Sequence, residues 1–157
     1  MNIPIYIPLL SLGLVVGGCS RQSSGRTFPS VAYGSVMADV GRRFELLGRA
    51  SAAGRYELAE YELGELVEQF QDVLPHAAPP REGHPEVLPR MERAFLRAEV
   101  ADLQRALASR DRAAASAAFE RTATACNTCH RASGHAFIEV PTIPGRSVPN
   151  TEPTGTP

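Results

Sequence analysis

Lysine is missing from this chain altogether, and all 16 basic residues are arginine. That excludes Schiff-base chemistry, which needs a side-chain amine. Basic and acidic residues nearly balance, 16 against 17, for a formal net charge of -1. So small a charge gives neither the basic footprint of a nucleic-acid partner nor a polybasic membrane patch. Strand-like alternation, internal repeats, a phosphate loop and a Ser/His/Asp grouping are also wanting, and the carboxylates of the Glu57–Glu68 stretch share one outer face without a pocket partner. None of this points to an enzyme. Cysteine is scarce as well, three in 157 residues, and an odd count leaves at least one thiol to be accounted for.

Two of the three sit in Cys126-Asn127-Thr128-Cys129-His130, the Cys-x-x-Cys-His signature of covalent c-type haem attachment. The chemistry explains the spacing. Thiols one helical turn apart can add across the two vinyl groups of one porphyrin, and the adjoining imidazole then lies under the iron as its proximal ligand. A redox dithiol belongs beside a βαβ pattern, which this chain lacks. A structural zinc site wants four Cys or His ligands, and no second pair stands at usable spacing. One haem c, held by Cys126 and Cys129 and ligated by His130, is the expectation.

The third, Cys19, closes Leu14-Val15-Val16-Gly17-Gly18-Cys19-Ser20. That run resembles a bacterial lipobox, in which cleavage of a signal peptide leaves a lipidated N-terminal cysteine. Ile3 to Val16 is apolar but short and interrupted by proline, closer to a signal than to a membrane span. The competing reading is an ordinary cleaved signal with Cys19 as a bystander. Residues 1–18 are therefore expected to be a signal peptide and 19–29, rich in Ser, Gly and Arg, a lipid-anchored flexible tether. Covalent haem attachment in bacteria takes place outside the cytoplasmic membrane, so the expected location is the periplasmic side, anchored to membrane through Cys19. Ser20 in place of Asp prefers the outer membrane, by resemblance to other lipoproteins.

Between tether and tail lies a block rich in Ala, Leu, Glu and Arg, the composition of helices. Four helical patterns are predicted within it. The first covers about Ser30–Ala53, with Met37, Val40, Phe44, Leu47 and Ser51 on one face and Gly54 as its stop. The second, about Arg55–Val73, turns Tyr56, Ala59, Leu63, Leu66, Phe70 and Val73 inward and Glu57, Glu60, Glu62, Glu65 and Glu68 to solvent. A proline-broken loop follows to Leu88. Pro89 suits the first turn of the third helix, which reaches Ala108 with Met91, Phe95, Ala98, Val100, Leu103 and Leu107 inward. Asp111 or Ser109 can cap the fourth, which ends near Gly134. Each is about 20 residues and roughly 30 Å long. An all-α, antiparallel up-down-up-down four-helix bundle over residues 30–138, with haem on the last helix, is the expected fold. Residues 139–157, punctuated by proline, are expected to be a disordered tail.

The inner stripe of the fourth pattern is Ala115, Phe119, Thr122, Cys126, Cys129 and Ser133, set among many alanines. Such a wall leaves space that a flat porphyrin could fill, though close helix packing would use alanine equally well. With the motif near the end of a fourth helix, residues 30–138 resemble the class II cytochromes c, which include cytochrome c-prime. Arg42-Arg43-Phe44-Glu45-Leu46-Leu47, Tyr56-Glu57-Leu58-Ala59-Glu60-Tyr61-Glu62-Leu63 and His135-Ala136-Phe137-Ile138 also look like small exported bacterial haem proteins.

Function then turns on the sixth iron position. His135 is too near His130 in sequence to reach the opposite face, and His76 and His84 fall in the loop. Met37 and Met91 would both lie at the haem end of an up-down-up-down bundle. The resemblance favours Met37, since low-spin members draw a methionine from the first helix; core packing is the alternative for either residue. A His/Met iron suits one-electron transfer with redox partner proteins. A five-coordinate iron beneath apolar residues such as Val36 or Val40 would instead bind small gases such as nitric oxide, as cytochrome c-prime does. The third reading is a haem-free interaction lipoprotein docking through its acidic second helix. Homodimers are common in the resembled group, although no exposed apolar stripe demands one here.

Overall fold

A computed structural model describes residues 30–146. The segments expected to be signal peptide and tether, with Cys19, and the residues beyond Arg146 lie outside the described residues. Those described are all-α, with no strand among them. Five α-helices, α1 (Tyr33–Ala52), α2 (Tyr56–Glu68), α3 (Leu88–Phe95), α4 (Ala101–Ala108) and α5 (Arg112–Ala132), build four rods. The second rod is α2 prolonged by a π turn (Gln69–Val73) and a 3-10 turn (Leu74–His76). The third joins α3 to α4 through another π turn, Leu96–Val100.

Local chemistry accounts for the breaks. Gly54 adopts φ +73 between the first two rods, a conformation that costs glycine nothing. Pro75 cannot supply a helical N–H, and the second rod ends at His76. The π turn in the third rod has a cause in the apolar pattern. Phe95 and Val100 both face inward but stand five apart, and a turn of i to i+5 hydrogen bonding brings them onto one face. Asp111, rather than Ser109, caps α5: its carboxylate accepts from the backbone N–H of Ala113 at 2.7 Å and of Ala114 at 3.1 Å. The Ser109 hydroxyl donates instead to the Ala106 carbonyl.

The core runs through Val40, Phe44 and Leu47 of α1, Ala59, Leu63 and Leu66 of α2, Leu103 and Leu107 of α4, and Ala118, Phe119 and Ala123 of α5. Rods one and two, two and three, three and four, and four and one are all in contact. The rings of Phe44 and Phe119 stack 4.3 Å apart and 5° from parallel, and Gly48 lies directly against the Phe119 ring. No helix among the described residues is long and apolar enough to cross a membrane.

Three residues depart from the expected faces. Val36 is buried where Met37 was expected, leaving Met37 only half-buried. Ala98 is exposed. Glu62, assigned to the solvated face, is buried with its Oε2 accepting from Arg43 Nη1 at 3.0 Å. Glu62 stands three residues after Ala59 and beside Leu63, so helical geometry carries it onto the inner face, where it pairs with the Arg43 guanidinium.

A contrast between two glycines tests the packing. Gly48→Ala drives a methyl into the buried Phe119 ring and should destabilise the fold by about 1–3 kcal/mol. A Cβ at Gly64 meets nothing within 4 Å, so Gly64→Ala should leave stability equal or raise it by up to ~1 kcal/mol. Urea titration of both variants reads the two signs; equal effects would contradict the Phe44–Phe119–Gly48 contact.

Candidate functional site

The well-packed core stops part-way along α1 and α5. Ala115, Ala118, Phe119, Thr122 and Ala123 are buried, whereas Cys126, Cys129 and His130, further along the same helix, are only half-buried. Beyond that point the rods enclose a cleft of about 1260 Å³. Its walls carry small side chains: Gly34, Ala38 and Gly41 from α1, Ala94 and Ala98 from the third rod, and Ala125 from α5. A Cβ at Gly34 or Gly41 would meet nothing within 4 Å, so packing inside the chain does not require glycine there. Each costs the helix about 1 kcal/mol relative to alanine.

Cys126, Cys129 and His130 all open onto this cleft, together with Met37, Met91 and Val40. Val36 faces the core instead. His76 and His84 are exposed, and His84 Nδ1 lies 3.4 Å from the Glu86 carboxylate. The sequence motif and both candidate methionines therefore share one cavity; Cys19 lies outside the described residues.

His130 is held by its own sequel. Gly134, at φ +85, reverses the chain after α5, and the His135 N–H donates to the His130 carbonyl at 2.7 Å. The returning segment sets the Ile138 carbonyl 2.9 Å from His130 Nδ1. A carbonyl can only accept, so Nδ1 carries the proton and Nε2 keeps its lone pair. Burial holds the imidazole below its ordinary pKa, the Ile138 hydrogen bond opposes that effect, and nearby His135 adds to the lowering. The outcome is a neutral ring with one nitrogen anchored and the other free, the state in which histidine ligates a metal.

The same segment is pinned a second time. Asn127 Nδ2 donates to the Val140 carbonyl at 2.9 Å, and the Val140 N–H donates back to Asn127 Oδ1 at 2.7 Å. Val140 packs against the core and Pro141 lines the cleft. The tail expected to begin at Glu139 thus starts with residues that belong to the site, because Asn127 satisfies both backbone groups of Val140. The proline-broken loop closes the other side of the helix end: Gly83 and Gly134 touch backbone to backbone, and His84 N–H donates to the Ser133 carbonyl at 2.8 Å.

Opposite these, the Tyr33 hydroxyl donates to Glu92 Oε1 at 2.7 Å on the cleft wall, and burial followed by the Glu92 carboxylate pushes its pKa up. Nothing in the sequence signals this pair, whose members are 59 residues apart. Asn127 did leave a trace, as a poor helix former in an Ala- and Thr-rich helix.

The thiols do not suit redox exchange. Burial raises Cys126 to about 12, with Cys129 adding to the effect. Cys129 is raised too, by burial and then by Glu92. Both stand in the last two turns of α5, at the negative end of the helix dipole, which disfavours a thiolate. Exchange-active Cys-x-x-Cys pairs depend on the reverse. Among the described residues no three His, Cys, Asp or Glu side chains converge as a metal cage. A porphyrin, which brings four nitrogens of its own, needs only the one imidazole. Compared with known proteins, the chain matches no family model, no curated protein and no solved structure.

The thiol environment is open to direct measurement. In haem-free chain at pH 8, alkylation of Cys126 by iodoacetamide should run on the order of a hundredfold or more slower than that of a free thiol. Peptide mass spectrometry gives the rate. A Cys126 faster than the free thiol would restore the redox-dithiol reading.

Proposed function

We propose that this chain is an exported monohaem c-type cytochrome that carries out one-electron transfer, an antiparallel up-down-up-down four-helix bundle of the class II type with haem c on its last helix. One observation carries the reading: both thiols and the imidazole of a single Cys-x-x-Cys-His motif open into one cleft, with His130 fixed in the tautomer that frees Nε2. The order of rod contacts, and Phe44 facing Phe119 while Met37 shares the cleft with His130, support the bundle arrangement.

Cys126 and Cys129 would hold the group by thioethers, each S–H adding across one vinyl, and His130 would ligate the iron through Nε2. The iron, once bound, supplies a one-electron couple. The chain's own part is to orient the imidazole through Ile138, keep water from the apolar walls and offer a sixth donor. Met37 is the proposed donor, half-buried on α1 and lining the cleft; Met91, on α3, is the alternative. Redox proteins on the periplasmic side would be its partners, with Cys19 lipidated and anchoring the chain to membrane, the outer membrane preferred. The second reading, reversible binding of a small gas at a five-coordinate iron, draws support from the room that Gly34, Ala38 and Gly41 leave along α1.

Intact mass and a pyridine haemochrome assay on protein matured in a haem-attaching host should show one covalent haem, lost in Cys126→Ala/Cys129→Ala. Absence of the adduct in the unmutated chain sinks the cytochrome and leaves an interaction lipoprotein. The oxidised protein should carry the weak red-edge absorption band of sulfur–iron bonding, abolished in Met37→Leu. A high-spin spectrum with fast carbon monoxide binding to the ferrous form would instead select the gas-binding protein.

A further inference from the structure

Asn127 occupies a position that the Cys-x-x-Cys-His pattern leaves free, yet it makes more specific contacts than either cysteine beside it. Its amide pairs with Val140 through two hydrogen bonds, donating to the carbonyl at 2.9 Å and accepting from the N–H at 2.7 Å, as a neighbouring β-strand would. Two residues before Val140, the Ile138 carbonyl accepts from His130 Nδ1 at 2.9 Å. Asn127 and His130 lie three apart on α5 and so project from neighbouring positions of the same helix face. Ile138 and Val140 are exposed and half-buried, respectively, and the Ile138 N–H bonds only locally, to the His135 carbonyl at 2.9 Å. The returning segment is a strap with two pins, one on Asn127 and one on His130.

We infer that Asn127 is a positioning residue for the proximal histidine: by clamping Val140 it fixes the strap so that the Ile138 carbonyl orients the His130 ring and raises its donor strength. The inference rests on the cytochrome reading for its electronic consequence, but the strap itself does not depend on a bound group. A carbonyl accepting from Nδ1 makes the opposite nitrogen a stronger donor, which favours the oxidised over the reduced iron. Release of the strap hands Nδ1 to water and loosens the ring.

The test uses the full-length protein matured in a haem-attaching host, as wild type, Asn127→Ala and Asn127→Asp. Asp still accepts from the Val140 N–H but cannot donate to its carbonyl, so it serves as the milder variant should Asn127→Ala fold poorly. Hydrogen exchange at the Val140 amide should quicken at least tenfold in Asn127→Ala and less in Asn127→Asp. The midpoint potential should rise in the same order, with a changed proximal-ligand signature in the ferrous resonance Raman spectrum. Unchanged exchange at Val140 overturns the strap. Quickened exchange with an unmoved potential and Raman signature overturns the positioning role and leaves Asn127 merely structural. A wild-type chain without haem defeats the cytochrome reading alone, since exchange at Val140 still reports on the clamp.

Discussion

The stack of Phe44 on Phe119, with Gly48 pressed against the ring, is the contact from which the rest of the molecule is set out. It brings α1 and α5 together along one half of their length, and the leucines of α2 and α4 fill in behind. Toward the other end Val36 still enters the core, but Gly34, Ala38 and Gly41 of α1 and Ala125 of α5 line a cleft that stays open among the described residues. Close packing is the rule in protein interiors and voids are costly. Here one half is tightly packed, and the other holds a cleft lined in part by glycine and alanine.

What opens into that space is chemically coherent. Two thiols raised in pKa by burial are poor thiolates, unsuited to exchange, but each still carries the hydrogen that thioether formation to a vinyl group consumes. An imidazole held neutral, with Nδ1 committed to a backbone carbonyl, is a ready donor at Nε2. Two methionines on different rods share the cavity. Ion pairs tie rods together, with Arg43 between Glu62 and Glu65 and Arg121, itself on the cleft lining, on Asp102. The exposed pair of Arg121 with Asp102 contributes little, whereas Glu62 is buried in its pair with Arg43.

Several features were legible from residue spacing because they are local. Helical periodicity and capping chemistry act over one or two turns, and so Gly54 ends the first rod and Asp111 starts the last. The five-residue step from Phe95 to Val100 was hidden there, because the spacing puts Ala98 inward between them; with Ala98 exposed, the π turn brings the two onto one face. Glu62 was misread because composition alone made it one more acid on an acidic helix. Its burial depends on Arg43, 19 residues away, approaching from α1.

By itself, the sequence determined the helical class, the approximate rods and the Cys126-Asn127-Thr128-Cys129-His130 signature, since each is written in residues within a few positions of one another. Only the tertiary structure decided that Met37, Met91 and the motif face one cavity, that Val36 rather than Met37 enters the core, and that residues 138–141 return to grip His130 and Asn127. These depend on chain reversal at Gly134 and on the approach of separate rods. Hydrogen bonds to a backbone carbonyl carry no side-chain signature, so the residue that orients the imidazole could not have been named from the letters of the chain.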